Sequence, residues 1–313
     1  MYLTNHLDFY IIATLLTILG PTAGGKTALA VQCALHLNGE VISGDSRQVY
    51  KGMDIGTGKD LCEFTIDGVA VPHHLIDIVA AGYKYNVYEY CRDFREVYHD
   101  ICHRKRQPIL CGGSGLYIEA AVNQYHLPPV SEDTALRESL AQQSTEQLTQ
   151  KLASLHPLHN VTDTSSRKRL IRAIEIAVHA QNQPQPTSAP LQNVYVGIDI
   201  DRNTRRQRIT ARLMHRLRNG LVEEVEALLK GGISAETLCY YGLEYKFVTE
   251  YLLQKLTYSQ MVEQLNVAIH QFAKRQMTWF RGMARRGAII HWIDGKLPLS
   301  EQFLQLKKMI CIP

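Results

Sequence analysis

The chain has 313 residues, 45% of them hydrophobic and 20% charged, and its formal net charge is +4. This composition provides a sizeable core and excludes an intrinsically disordered chain. The mildly basic balance permits a nucleic-acid partner without requiring one. Seven scattered cysteines without a CxxC pair favour reduced thiols in a cytoplasmic protein over disulfides or a zinc site.

The first predicted element is a buried strand near the N-terminus. The apolar run Ile11–Leu19 lacks the basic segment and the small-residue cleavage site of a signal peptide, and it is too short to span a bilayer. It leads directly into a glycine-rich loop. We therefore expect a buried strand here and no membrane segment.

Short apolar runs alternate with helical patterns along most of the chain. The predicted strands are Thr14–Leu19, Glu40–Ser43, part of Val69–Ile78, Gln107–Cys111, Val194–Ile200 and Ile289–Ile293. Apolar residues at three- and four-residue spacing predict helices over Lys26–Leu37 and Val87–Arg104. Such alternation indicates an α/β fold, with a parallel sheet between two layers of helices.

The character of the sequence changes between residues 122 and 190. Prolines and a glutamine-rich stretch surround mostly helical sequence there, and Gln181–Pro190 is typical of a linker. We therefore predict a phosphate-loop core formed by residues 1–121 and 191–313. A small, mostly helical insertion domain at 122–190, in contact with a nucleic acid, would interrupt it.

A phosphate-binding loop follows the first predicted strand and opens the first predicted helix. Its residues match GxxxxGK[ST] and are Gly20, Pro21, Thr22, Ala23, Gly24, Gly25, Lys26 and Thr27. Glycines let backbone N–H groups turn toward an anion, and a helix N-terminus favours negative charge. Lys26 supplies a point charge and the Thr27 hydroxyl can hold a metal ion, so the loop predicts a phosphate-bearing substrate.

Two acidic residues are candidates for a role beside this loop. Asp199 ends a predicted strand, as the magnesium-supporting acid of a nucleotide hydrolase would, but it lies far along the chain and is interpreted more simply as the start of the next helix. Asp45 follows the strand Glu40–Ser43, and ligands of open α/β sheets bind at the carboxyl ends of strands. Asp45 is thus a candidate general base or metal support, with the capping of a turn as the alternative.

Seven motifs resemble those of the tRNA dimethylallyltransferase (tRNA isopentenyltransferase) family, bacterial type. They occur in the family's order and are GPTAGGKT at 20–27, SGDSRQVYKGMDIGTGK at 43–59, VPHHLIDI at 71–78, GGSGLY at 112–117, RLIRAIEI at 169–176, GLVEEVEALL at 220–229 and AKRQMTWFRGM at 273–283. The first is shared by many proteins, whereas the second and the last are specific. The resemblance covers nearly the whole chain.

The resemblance implies transfer of dimethylallyl from dimethylallyl diphosphate to the exocyclic amine of the adenosine 3′-adjacent to the tRNA anticodon. It implies that the loop holds the diphosphate rather than ATP, and that Lys26, Thr27, Arg212 and Mg²⁺ neutralise the departing pyrophosphate. Asp45 would accept or orient the proton of the attacking amine. The residues expected to contact tRNA are Asp45, Ser46, Arg47, Gln48, Ser114, Lys168, Arg169, Arg172, Lys274 and Arg275.

This sequence departs from the family pattern at several positions. Ser114 replaces the usual Thr and keeps the hydroxyl, while Gly58 and Asp60 replace the Ala and Pro of the GTAKP phrase. His270 lies in a replaced dipeptide, and Tyr240–Tyr245 replaces a simpler GY[RK]E phrase. These departures bear on tRNA selection more than on the transfer chemistry.

Three clusters of basic residues favour a polyanionic partner. Arg205, Arg208, Arg212 and Arg216 recur at spacings that place them on one helix face, and further clusters lie within 167–172 and 274–286. For each cluster the alternative is a solvated face with distant acidic partners. The aromatic residues Trp279 and Phe280 are expected to pack in the core rather than to stack on bases.

Three other functions stay open to the sequence. An adenylate isopentenyltransferase would share the loop and Asp45 but would not need the arginine clusters. A P-loop nucleotide kinase would consume ATP, and a non-catalytic tRNA-binding relative would not need Lys26, Thr27 or Asp45. Nothing in the sequence demands more than a monomer.

Overall fold

A computed structural model describes residues 14–125, 130, 132–155, 166–181 and 189–310. The chain divides into two compact units, one formed by Met1–Gln124 with Pro190–Pro313 and the other by Tyr125–Ala189. The sequence-based boundaries are residues 122 and 190. Most of the expected linker at 181–190 lies outside the described residues.

The larger unit contains a six-stranded sheet with the order β5-β2-β6-β1-β7-β8, in which every pairing is parallel. The strands of the structure are β1 (Leu15–Leu19), β2 (Gly39–Ser43), β3 (Thr65–Ile66), β4 (Val69–Ala70), β5 (His73–His74), β6 (Gln107–Gly112), β7 (Asn193–Asp199) and β8 (Ile290–Asp294). The strands β3 and β4 form a separate antiparallel hairpin. The predicted α/β fold with a parallel sheet is confirmed.

The strand β1 lies in the middle of the sheet and is buried along its whole length. Leu16 pairs with Ile109 of β6 on one side and with Val194 of β7 on the other. A strand covered by helices on both faces carries a continuous apolar run rather than an alternating one. The β1 sequence LLTIL, with four apolar residues out of five, has this character. The loop that follows β1 is therefore anchored at the centre of the core.

Twelve helices occur in the described residues. They are α1 (Lys26–His36), α2 (Val87–His103), α3 (Gly115–Val122), α4 (Thr134–Ala141), α5 (Thr145–Leu155), α6 (Arg167–Gln181), α7 (Arg202–Arg218), α8 (Leu221–Lys230), α9 (Ala235–Tyr240), α10 (Leu243–Leu252), α11 (Tyr258–Arg285) and α12 (Leu299–Ile310). Capping boxes fix the start of α2 at Asn86 and of α11 at Thr257. Among these described helices, none has the length and apolarity needed to cross a membrane.

The segment Val69–Ile78, predicted to be a strand in part, contains the two short strands β4 and β5. Asp67 and Gly68 have φ values of 50° and 79°, which suits a tight two-residue turn, so Val69 pairs back onto Ile66. Pro72 has no N–H to donate, but its carbonyl accepts from Val41, and His73–His74 then joins the main sheet beside β2.

The smaller unit consists of α4, α5 and α6 around its own apolar cluster. The buried members of that cluster are Leu140, Leu148, Leu152, Leu170 and Ile174. Glu175 is 1% exposed and accepts hydrogen bonds from Arg137 and Arg172. A buried carboxylate needs such partners, and the bond from Arg137 connects α4 to α6.

Candidate active site

A cavity of ≈ 280 Å³ lies where β1, β2 and β6 end. The phosphate loop follows β1, the Asp45 turn follows β2, and Ser114 follows β6. The strand ends approach closely because Gly112 lacks a side chain: a Cβ there would lie 2.3 Å from the carbonyl oxygen of Gly44. The carboxyl edge of the sheet thus brings together three segments that are far apart in sequence.

The phosphate loop has the backbone geometry that its glycines predict. Gly25 has φ 85° and precedes α1, and Gly20 packs so closely on β7 that a Cβ would lie 2.9 Å from the carbonyl oxygen of Ile198. Lys26 reaches across the loop and donates from Nζ to the carbonyl oxygen of Pro21 at 2.8 Å. Burial lowers the pKa of Lys26, although the side chain keeps access to the cavity.

The two oxygens of the Asp45 carboxylate differ in their hydrogen bonding. Its Oδ1 accepts the N–H of Arg47 at 3.0 Å, while the backbone N–H of Asp45 donates to Ser43 Oγ at 3.2 Å. Among the described residues, no hydrogen-bond partner is found for Oδ2. Burial raises the pKa of Asp45, and the Arg47 N–H and the positive charge of Lys26 oppose that rise. Asp45 therefore caps a turn and also lines the cavity, so the two sequence-based alternatives are compatible.

Serine hydroxyls connect the β2 and β6 ends. The N–H of Ser46 donates to Ser114 Oγ at 3.1 Å, and Ser114 Oγ donates to Ser46 Oγ at 3.3 Å. Gln48 is held at both ends of its amide, because Oε1 accepts from Ser43 and Nε2 donates to the carbonyl of Gly58 at 3.1 Å. The side chain of Gln48 thus connects the end of β2 to the segment around Gly58.

Arg47 lies at an exposed edge of the same cavity. Its guanidinium lies 4.9 Å from the ring centroid of Tyr240, and Nη2 donates to the Tyr240 carbonyl at 2.8 Å. Tyr240 is 49% exposed. A cation held over an exposed ring forms a flat, positively charged surface beside the cavity opening.

The arginine face of α7 is turned toward the phosphate loop. Arg208 and Arg212 line a depression beside Gly24, Gly25 and Thr27, which we call the loop mouth. Arg212 also lines the main cavity and forms an ion pair with Asp60.

The next arginine along α7 is more deeply buried. The side chain of Arg216 is 11% exposed, and its guanidinium lies 3.8 Å from Glu244 and 3.9 Å from Asp60. Burial lowers the pKa of Arg216 and raises the pKa of Glu244. The distant acidic partners expected as the alternative for this cluster are therefore present, and they lie at the site itself.

The remaining basic candidates lie outside this cavity. Lys168 and Arg169 are exposed on α6, and Arg172 is bound to Glu175 within the smaller unit. Lys274 and Arg275 are exposed on α11, where the Arg275 guanidinium lies 5.9 Å from the ring centroid of Phe272. The structure brings together the candidates Thr22, Lys26, Thr27, Asp45, Ser46, Arg47, Gln48, Ser114 and Arg212.

Asp199 does not line the cavity. It is exposed at the end of β7, where its Oδ1 accepts the N–H of Ile200, and the helix that follows is capped by Asp201 instead. The geometry gives Asp199 neither a magnesium-supporting position nor the role of a helix cap.

Gln276 is a site residue whose individual role the sequence does not reveal. Its buried amide accepts the N–H of Thr22 at 2.9 Å and donates to the carbonyl of Gly113 at 2.9 Å. It thereby connects the phosphate loop to the turn that carries Ser114. The AKRQ phrase contains Gln276, but only the fold shows which atoms it contacts.

Three further phrases of the sequence support the segment 50–59 beside the cavity. Lys59 is fully buried and donates to the carbonyl of Tyr50 and to the carboxylates of Asp54 and Asp77. Glu224 accepts the N–H groups of residues 54, 55 and 56. These contacts explain the GTGK, LIDI and EEVEAL phrases as a scaffold.

Trp279 and Phe280 of α11 pack as the sequence predicts. Phe280 is fully buried, and Trp279 donates from Nε1 to the carboxylate of Glu119 at 3.0 Å. Gly115 lies against the Trp279 ring, since a Cβ there would be 2.2 Å from it. Trp279 therefore locks α11 onto the start of α3.

The site fits a magnesium ion that a phosphate ligand would share. Within the part of the chain that the structure describes, no group of three His, Cys, Asp or Glu side chains is arranged to hold a metal. Mg²⁺ commonly keeps several waters and takes substrate phosphate oxygens with only one or two protein ligands. The Thr27 hydroxyl lines both the cavity and the loop mouth and can serve as such a ligand.

Sequence comparisons identify relatives of this chain. The sequence model of the IPP transferase family matches residues 48–283. A tRNA dimethylallyltransferase 2 of Porphyromonas gingivalis strain W83 is 54% identical over 297 residues, covering 94% of this chain and 98% of that protein. A tRNA dimethylallyltransferase 2 of Bacteroides fragilis is 52% identical over 298 residues, covering 95% of this chain and 97% of that protein.

Solved structures agree with the fold. The crystal structure of the full-length tRNA isopentenylpyrophosphate transferase from Bacillus halodurans superposes with a TM-score of 0.71 at 32% identity, covering 95% of both chains. A eukaryotic dimethylallyltransferase acting on tRNA has a TM-score of 0.74 at 22% identity and covers 95% of this chain and 77% of the other, which supports the fold alone. From the family match and these relatives, the chain belongs to the IPP transferase family.

Proposed function

We propose that the protein is a tRNA dimethylallyltransferase. It transfers dimethylallyl from dimethylallyl diphosphate to the exocyclic amine of the adenosine immediately 3′ of the tRNA anticodon, and releases pyrophosphate. The observation that carries this proposal is one cavity, in a member of this family, with a phosphate loop on one wall and the carboxylate of Asp45 on another.

The donor diphosphate binds to the phosphate loop. Backbone N–H groups at the start of α1 face the phosphates, and Lys26 exchanges the Pro21 carbonyl for a phosphate oxygen. Arg212 supplies a second positive charge from α7. Bound Mg²⁺, held by Thr27 and the phosphates, would further neutralise the leaving group. Transition-state charge builds up on the departing pyrophosphate, so these groups act where the reaction needs them.

The acceptor amine attacks from the Asp45 side. As the N–C bond forms, the C–O bond to the diphosphate breaks, and the amine loses a proton. Asp45 orients or accepts that proton through the carboxylate oxygen that faces the cavity. The raised pKa of Asp45 makes it a stronger base than a solvated aspartate, and its N–H bond from Arg47 holds its orientation.

The target adenine must leave its stack in the tRNA loop to reach the cavity. Ser46, Gln48 and Ser114 line the wall next to Asp45, and Arg47 lies at the opening. We propose that these residues hold the adenine and its neighbours, and that Lys168, Arg169, Arg172, Lys274 and Arg275 contact the tRNA backbone. We also propose a cytoplasmic monomer.

A direct assay tests the proposal. The protein is incubated with labelled dimethylallyl diphosphate, Mg²⁺ and tRNA that lacks the modification, and the tRNA is digested to nucleosides. Parallel reactions contain AMP in place of tRNA, or ATP without the prenyl donor. Label in the adenosine 3′ of the anticodon is the expected result. Label in free adenine nucleotide would indicate an adenylate isopentenyltransferase, and ATP consumption without prenyl donor would indicate a kinase. Tight tRNA binding without label would indicate a non-catalytic binder.

A further inference from the structure

Asp60 lies between the phosphate loop and the arginine face of α7. Its backbone has φ 45° and ψ 49° at the start of a short 3₁₀ helix, Leu61–Phe64. Its carboxylate pairs with Arg212, and Oδ2 lies 3.9 Å from Arg216 Nη2. Asp60 also lines the loop mouth beside Thr27. A carboxylate is thus paired with the arginine that the proposed mechanism assigns to the diphosphate.

Gly58 permits this arrangement. A Cβ at Gly58 would lie 1.8 Å from Arg216 Nη2 and 2.8 Å from Arg212 Nη2. Its φ of 67° is also a conformation that glycine adopts readily. The absence of a side chain at residue 58 lets both guanidinium groups approach the segment that carries Asp60.

The Asp60 pair differs from the ion pairs of the preceding residue. Lys59 is 0% exposed and held by two carboxylates, so its interactions are fixed parts of the fold. Arg212 is 31% exposed and Asp60 is 37% exposed, and both line the loop mouth. An ion pair open to solvent is weak enough to exchange one partner for a stronger anion.

We propose that Asp60 is an internal counter-ion that competes with diphosphate for Arg212. Before the donor binds, the carboxylate holds the guanidinium in place; the more highly charged diphosphate then displaces it. After transfer, Asp60 pairs with Arg212 again and weakens the hold on pyrophosphate, which speeds its release. Asp60 is a positioning residue, because it acts through Arg212 and not on the reacting atoms. This inference rests on the proposed role of Arg212.

The test is the affinity of the protein for inorganic pyrophosphate with Mg²⁺, measured by calorimetry on the full chain. Asp60→Asn removes the charge and keeps the shape, and asparagine tolerates the left-handed backbone at this position. Asp67→Asn is the matched control, since Asp67 has φ 50° and is exposed on the β3–β4 turn. We expect Asp60→Asn to bind pyrophosphate about 1.5- to fivefold more tightly, the range expected for one exposed ion pair.

Three further measurements make the outcome specific. Asp60→Glu restores the charge and should return the affinity toward that of the wild type. Arg212→Gln should weaken pyrophosphate binding, and Asp60→Asn should have little further effect in that background. In the transfer reaction, pyrophosphate should inhibit Asp60→Asn at concentrations lower by the same factor. Asp67→Asn should behave as the wild type in every assay.

Different results would contradict the counter-ion role of Asp60 and the proposed prenyl-transfer function. If prenyl transfer occurs and Asp60→Asn binds pyrophosphate as the wild type does, or more weakly, Asp60 is not a competing counter-ion. If no prenyl is transferred but Asp60→Asn still tightens pyrophosphate binding, the counter-ion role stands and the substrate assignment is wrong. Equal pyrophosphate binding by Arg212→Gln and the wild type overturns the role given to Arg212, and the counter-ion role with it.

Discussion

The two walls of the cavity are constructed in different ways. The phosphate wall is local, because eight consecutive residues after β1 contain the loop glycines, Lys26 and Thr27. The Asp45 wall is assembled from the end of β2, Ser114 after β6, and Gln276 on α11. A local motif carries its geometry with it, whereas an assembled wall depends on the packing of the whole core. Substitutions in the two walls should therefore fail in different ways.

The largest effect is expected at Asp45. Asp45→Asn keeps an oxygen for the Arg47 N–H and so keeps the turn, but it removes the base, which should slow single-turnover transfer by about 10²–10⁴-fold. Affinity for tRNA should stay near that of the wild type, as a filter-binding titration would show. Transfer at the wild-type rate would rule out Asp45 as the base.

The pH dependence of the same step provides a control for Asp45. The deprotonated carboxylate is the active form, and burial raises the pKa of Asp45 above its ordinary range. The single-turnover rate should therefore fall on acidification through a pKa higher than that of a solvated aspartate, and this acidic limb should be absent in Asp45→Asn. An acidic limb at the ordinary aspartate value would contradict the burial argument.

A smaller, purely local effect is expected on the phosphate wall. Lys26→Met removes the charge while keeping a long side chain, and should lower kcat/KM for the donor by about 10²–10³-fold, as for loss of one preorganised charge-stabilising group. Binding of tRNA should be unaffected. Lys84→Met, at an exposed position, is the control. Loss of tRNA affinity in Lys26→Met would show that the two walls are not separable.

Substitution of Gln276 removes the hydrogen bonds that connect the two walls. Gln276→Leu leaves the Thr22 N–H and the Gly113 carbonyl without their partner, and should reduce kcat/KM for donor and for tRNA together, each by about tenfold or more. Gln276→Glu keeps an acceptor for Thr22 but places a carboxylate against the Gly113 carbonyl. Gln276→Glu should lower kcat/KM for tRNA more than kcat/KM for the donor. Equal losses in both variants would argue against separate contributions from the two bonds.

The smallest effect on activity is expected at the opposite end of β2. Glu40 is buried and accepts hydrogen bonds from Arg104, His74 and Arg106, and the bond from Arg104 is the main reason that its pKa is lowered to about 2. Because the folded-state pKa lies below the unfolded value, the stabilisation is complete above about pH 4.5 and disappears as the pH falls toward about 2.

Glu40→Gln should lower the free energy of unfolding at neutral pH by about 2 kcal/mol, a value reduced for the partly exposed arginines. It should also flatten the acid dependence of stability while leaving kcat for transfer unchanged. Urea unfolding at pH 7 and pH 3 provides the measurement. A mutant that loses transfer activity without losing stability would place Glu40 in the site rather than in the scaffold.

Much of the architecture could be predicted because it is encoded over short distances. The helix predicted over Lys26–Leu37 is observed as Lys26–His36, and the strand predicted over Gln107–Cys111 as Gln107–Gly112. Periodic apolar residues determine such elements locally. Within Val69–Ile78, which was predicted to be a strand only in part, an Asp-Gly turn and a proline rather than periodicity decide which residues pair.

The partners of the charged residues could not be predicted in the same way. Helical spacing places Arg208, Arg212 and Arg216 on one face, but it does not identify the acids that face them. Asp60 is 152 residues from Arg212 in sequence, and Gln276 is 254 residues from the Thr22 N–H that it accepts. No local pattern encodes contacts of that range.

The phosphate loop, the succession of strands and helices along the chain, and the position of Asp45 after a strand all follow from the amino-acid sequence. Each of these depends on neighbouring residues, through backbone freedom at glycine and side-chain periodicity. The bonds of Gln276 to both walls and the pairing of Asp60 with Arg212 depend instead on how the folded chain packs. Those contacts exist because a parallel sheet brings distant strand ends to one edge, and α7 and α11 are packed beside that edge.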